Sequence, residues 1–105
     1  MKISDRYRNV ISDVRFLHEK LAGDLSEGGE RICREVQKAY EVLEEMQEDV
    51  GEIPQMRLEY KLSPLLLKAH THLDRARMDV EKLDEKHAER VWEVEQAIYR
   101  LLNSL

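Results

Sequence analysis

Residues 65–105, LLLKAHTHLDRARMDVEKLDEKHAERVWEVEQAIYRLLNSL, contain neither glycine nor proline. Apolar side chains recur in them at alternating spacings of three and four: Leu66, Ala69, Leu73, Ala76, Val80, Leu83, His87, Val91, Val94, Ile98, Leu101 and Leu105. That spacing keeps one face of an α-helix apolar, since 3.6 residues complete a turn. Two successive fours around His87 read as a stutter, a local unwinding of the supercoil. The stretch therefore predicts one helix of about 40 residues over 64–104, roughly 60 Å long. Ser63-Pro64 starts it, because proline at the first helical position sacrifices no hydrogen bond.

The preceding chain yields two more helices. Over 4–22, Ile3, Tyr7, Val10, Val14, Leu17 and Leu21 form a heptad seam, with Ser4 as candidate N-cap and Gly23 as the residue that ends it. Over 26–50 the seam is Ile32, Val36, Ala39, Leu43, Met46 and Val50. Asp24, with Glu27 three residues on, or Ser26, is its expected cap. Glu27–Arg31 and Glu30–Arg34 are spaced for ion pairs along its surface. Gly51 and Pro54 close it, leaving a connector over 51–63. Within that connector Met56, Leu58, Tyr60 and Leu62 alternate with polar residues. A lone strand has no partner to pair with, so a short helix or ordered connector is the expected form. The resulting fold is all-α: an antiparallel up-and-down bundle of three long helices. A long kinked two-arm hairpin is the alternative, if 23–29 only bends the chain. Three glycines in that stretch, each costing a continuous helix ~1 kcal/mol, favour the reversal.

The chain has 105 residues, 37% of them charged, and a net charge of −5. That size suits one domain with a small core. The acidic balance argues against nucleic acid as a partner, because phosphate contacts demand a basic surplus. One cysteine, Cys33, permits no internal disulfide, and it reads as a small buried hydrophobe. No apolar stretch has the length of a membrane span or the form of a signal peptide. The expectation is a soluble cytoplasmic protein without a membrane partner.

The histidines are the first place to look for chemistry. In LHEKLAGDL, His18 is followed by Glu19, Leu21, Ala22 and Leu25. This segment resembles the phosphoacceptor stretch of one class of sensor histidine kinases, whose dimerisation domain is a helical hairpin. The resemblance implies His18 as phosphoacceptor and Glu19 as its general base. Gly23 stands where that family carries glutamine, and Asp13 where it carries an aliphatic residue. His72, with Arg75 and Ala76 after it, more distantly resembles the histidine phosphotransfer module, which has glycine in place of Ala76. His70 and His72 lie about 200° apart on a helix and cannot share one metal. No metal site, cofactor loop or catalytic triad is expected, so an enzyme is not. His87, on an otherwise apolar seam, is expected to need a hydrogen-bond partner if buried.

Two surfaces point to association instead. Nine of the 15 residues over 91–105 are apolar, and Trp92, Tyr99 and Leu102 form a second stripe beside the seam. Two shorter helices cannot cover a helix of 40, so Val91, Trp92, Tyr99, Leu102 and Leu105 are the candidate interface of a homodimer. Glu41, Glu44, Glu45, Glu48, Asp49 and Glu52 form an acidic run at the end of the second helix, where the macrodipole disfavours negative charge. Arg57, Lys61 and Lys68 are candidates to offset it; otherwise it is a docking patch for a basic protein. The sequence thus predicts a non-enzymatic, self-associating helical protein that acts as an adaptor, with a histidine phosphotransfer or kinase-dimerisation-like module using His18 as the alternative.

Overall fold

A computed structural model describes residues 1–25 and 27–105. It contains four helices: α1 (Ile3–Asp24), α2 (Glu30–Glu44), α3 (Leu58–Glu81) and α4 (Glu85–Asn103). No strand occurs among the described residues. Each helix packs on the two beside it in a closed ring, α1 on α2, α2 on α3, α3 on α4 and α4 on α1. Contacts between the start of one helix and the end of the next make every adjacent pair antiparallel. Tyr7 meets Leu43, Glu35 meets His72, and Asp24 approaches His87. The result is an up-and-down four-helix bundle of 44 × 22 × 21 Å.

The core is the set of seams. Tyr7, Val10, Val14, Leu17 and Leu21 are buried on α1, and Ile32, Val36, Ala39 and Leu43 on α2. Leu66, Ala69, Leu73, Ala76 and Val80 are buried on α3, and Val91, Ile98 and Leu101 on α4. Among the described residues, Tyr7 is the one apolar-core side chain that also spans two elements by hydrogen bond. Its hydroxyl donates to the Leu43 carbonyl at 2.6 Å, a second donor to an acceptor at the end of α2 that also takes the Met46 N–H at 3.3 Å.

The single 40-residue helix is corrected to two, because the chain turns at Lys82–Asp84. There the Asp84 carboxylate accepts from the Lys86 N–H at 2.8 Å and caps α4. Leu83, placed on the seam by its spacing, is exposed in this turn. The two successive fours around His87 are the trace of that reversal rather than of a stutter.

The other boundaries shift as well. α3 begins at Leu58, not at Ser63-Pro64, so the connector is shorter than 51–63. Leu58 and Leu62 face the core while Met56 and Tyr60 face water, so the alternation is the inward edge of a helix. Pro64 sits inside α3; it has no N–H to offer the carbonyl four residues earlier, that of Tyr60, and both residues are exposed. α2 ends at Glu44, followed by turns and a short 3-10 segment over Val50–Glu52. α1 starts at Ile3, so Lys2 rather than Ser4 holds the cap position, and it runs through Gly23 to Asp24. The left-handed residue is instead Gly28, at φ 86°. Gly29 precedes α2, so Asp24 does not cap it; the rival cap at Ser26 lies outside the described residues. The reversal between α1 and α2 excludes the two-arm hairpin.

Candidate functional site

The densest polar cluster lies on the α3–α4 seam. His70, Asp74 and Arg77 project from one flank of α3, at the spacing of successive helical turns. They face Glu95, which is only 2% exposed. Arg77 Nε is 3.2 Å from Asp74 Oδ1 and 3.2 Å from Glu95 Oε2, so one guanidinium touches both carboxyls. His70 Nε2 stands 3.5 Å from Glu95 Oε1. The Arg77–Glu95 approach is not aimed as a hydrogen bond, and Glu95 Oε2 has no well-directed partner among the described residues.

Burial pushes the Glu95 carboxyl up to about 8, assisted by its hydrogen bond to Asp74 and the repulsion of that neighbouring charge. The same bond, with Arg77, holds Asp74 below the ordinary carboxylate range. The pair thus shares one proton: Glu95 keeps it, and Asp74 carries the charge that Arg77 balances. No signal in the sequence marks Glu95, a glutamate beside the Val94 and Ile98 seam positions. The 70–74–77 spacing shows a polar flank on α3, but which residue it meets depends on how α3 and α4 are registered.

Two other histidines join helices. His72 Nδ1 lies 2.8 Å from Glu35 Oε2, bridging α3 to α2. Burial raises the Glu35 carboxyl, but the His72 hydrogen bond with Lys38 and Arg75 outweighs it and holds the group below its usual value. His87 is buried, with Nε2 3.5 Å from Asp24 Oδ2 and 3.8 Å from Asp84 Oδ2, while Nδ1 has no hydrogen-bond partner among the described residues. It ties the start of α4 to the end of α1. His18 is half-buried on α1 and Glu19 is exposed; neither forms a side-chain hydrogen bond or ion pair among the described residues. The Cys33 thiol is half-buried and raised by burial, which disfavours the thiolate. No group of three or more metal-ligating side chains occurs among the described residues.

The sequence-derived interface residues separate into two sets. Val91 is fully buried among the chain's own helices and offers a partner nothing. Leu102 and Leu105 are partly buried against the core. Trp92 and Tyr99 remain 49% and 54% exposed, seven residues apart on the outward side of α4. Leu67, 56% exposed, lies one turn before His70 on α3, just as Tyr99 lies one turn after Glu95 on α4. Antiparallel packing therefore sets Leu67 and Tyr99 at about the same height along the bundle. Of the nine large apolar side chains exposed among the described residues, only Met1 and Phe16 lie outside the 56–99 half of the chain. The other seven are spread over that half: Met78 borders the α2–α3 groove with Arg31 and Glu35, Leu83 lies in the turn before α4, and Leu67, Trp92 and Tyr99 are on α3 and α4.

The acidic run is brought together where α2 ends. Glu41, Glu44, Glu45, Glu48, Asp49 and Glu52 are all exposed. Arg57, Lys61 and Lys68 form no ion pair with it among the described residues; Arg8 from α1 approaches instead. Arg8 donates to the Gln47 carbonyl at 3.0 Å and to the Glu48 carbonyl at 3.4 Å, serving the backbone acceptors rather than the carboxylates. The expected Glu27–Arg31 and Glu30–Arg34 pairs do not occur among the described residues either, and Arg31 instead lies 3.7 Å from Asp79 on α3. No helix is long and apolar enough to cross a membrane among the described residues. Compared with known proteins, the chain matches no family model, no curated protein and no solved structure.

Proposed function

We propose that this protein is a small non-enzymatic interaction module that self-associates through the outward side of α4. The observation that carries this reading is the pair Trp92 and Tyr99, each about half exposed on one face. Leu67 adds an exposed apolar side chain on α3 at about the height of Tyr99. Each aromatic ring offers ~150–250 Å² in all, and burying the exposed halves on a partner contributes on the order of several kcal/mol at ~25 cal/mol per Å². The interior of the bundle is already filled by its own seams, so a partner is added to the folded chain rather than completing it.

Light scattering on the purified protein tests the reading. The expected mass is twice the 12.5 kDa of one chain. A monomer at roughly tens of micromolar would overturn it. A basic partner for the acidic turn is the competing use of this molecule. Reversing the charges of Glu44, Glu45 and Glu48 separates the two: self-association through α4 is unchanged by that substitution.

A further inference from the structure

The outward face of α4 has an asymmetric charge pattern. Its first half carries Glu85, Glu89 and Glu93, with Lys86 and Arg90 further round the helix from the Trp92–Tyr99 stripe and Arg90 3.9 Å from Asp24 of α1; its second half carries Arg100 alone. Glu89 and Glu93 are eleven and seven residues before Arg100, close to whole numbers of turns, so all three share one flank of the Trp92–Tyr99 stripe. None of these three side chains forms an ion pair among the described residues. Parallel pairing of two α4 helices sets glutamate on glutamate and Arg100 on Arg100. Antiparallel pairing sets the acidic half of each against the Arg100 of the other, and also opposes the two helix dipoles.

Resting on the self-association proposed above, we infer that the partner is a second copy docked antiparallel, α4 on α4, with the two-fold axis between Glu95 and Gln96. Trp92 then faces the partner's Tyr99. A two-fold axis lying in the contact plane, perpendicular to both helices, keeps matching flanks together, so Arg100 enters between the partner's Glu89 and the partner's Glu93. Each carboxylate is offset along the helix from the guanidinium by only about 3 Å. Both aromatics are used twice, once on each side of the axis. The helix is about 28 Å long, and a single helix face with a flank of α3 is at the low end of specific interface areas, so the dimer has a dissociation constant in the micromolar range.

Charge exchange tests the arrangement by sedimentation equilibrium. Arg100→Glu should weaken the dimer about tenfold or more, and adding Glu89→Arg and Glu93→Arg to it should restore most of that loss. A second test uses cysteines in a Cys33→Ala background. Gln96→Cys falls beside the axis and should oxidise to a covalent dimer, whereas Glu85→Cys, about 30 Å from its own copy, should not. A wild-type chain that stays monomeric overturns self-association itself. A wild-type dimer that ignores Arg100→Glu, or that cross-links at Glu85→Cys as readily as at Gln96→Cys, leaves self-association standing and overturns the antiparallel register.

Discussion

Glu95 makes the stability of this bundle depend on pH in a direction unusual for a carboxylate. Its ordinary value is 4.5, and in the folded chain burial and Asp74 raise it to about 8. Between those values the folded state holds a proton that the unfolded state has released. Stability is therefore greatest below the unfolded value and falls as pH rises through this window. At ~1.4 kcal/mol per unit, the window amounts to at most roughly 5 kcal/mol, a large share of the stability of a small domain. Asp74 is ionised in both states across the same range, so it adds no slope there. Glu95→Gln keeps the shape and the donor to Asp74 but cannot lose a proton. Urea unfolding of both proteins at pH 5.5, 7 and 8.5 reads the difference. The variant should exceed wild type by only ~1 kcal/mol at pH 5.5, one unit above the unfolded value, and by several kcal/mol at pH 8.5. Parallel pH profiles would refute the shared-proton reading of the α3–α4 seam.

Further consequences follow from individual contacts. Tyr7→Phe removes one of the donors to the Leu43 carbonyl, which still accepts from the Met46 N–H at 3.3 Å, and should cost ~1 kcal/mol in chemical denaturation. Asp84→Ala removes the cap on α4 and should cost ~1 kcal/mol by the same assay, with faster amide exchange in the first turn of that helix. Gly28→Ala forces a side chain into a left-handed conformation and should destabilise by ~1 kcal/mol or more, seen as a lowered Tm. Trp92→Ala should weaken self-association by ~2 kcal/mol while leaving the thermal unfolding of dilute monomer nearly unchanged, since the ring is half outside the core.

Periodicity carried most of the core. Every seam residue on α2 and on the part of α3 after Pro64 is where its spacing puts it, because burying one helical face is the dominant requirement on a chain of this size. The turn at 82–84 was not legible for a specific reason. Lys82, Leu83 and Asp84 include no glycine or proline, and the backbone there stays free of positive φ, so the break leaves no compositional mark. Only Asp84 carries a signal, and a lone aspartate on a charged helix is as often a surface residue as a cap. Pro64 misled in the opposite way, since an exposed proline near the start of a helix is tolerated beyond its first position.

The polar sites divide along the same line. The half-exposure of Trp92 and Tyr99 was readable as a second apolar stripe, but the full burial of Val91 was not separable from it without knowing that α4 lies between α1 and α3. The need for a partner at His87 followed from its place on the seam, and Asp24 and Asp84 lie closest to its Nε2. Glu95 escaped because its burial depends on Arg77 and Asp74 reaching across from another helix. Pairing between helices is the step that a single-sequence pattern does not encode.

The most direct test of the account is a dilution series followed by 1H–15N correlation spectra. The account predicts concentration-dependent shifts confined to the outward side of α4 and its flank on α3, led by Trp92, Gln96, Tyr99 and Arg100, with Arg34 and Glu41 on α2, which does not pack on α4, unmoved. Spectra that do not change from roughly millimolar to micromolar protein, or shifts centred on α1 or on the acidic turn after α2, would contradict it.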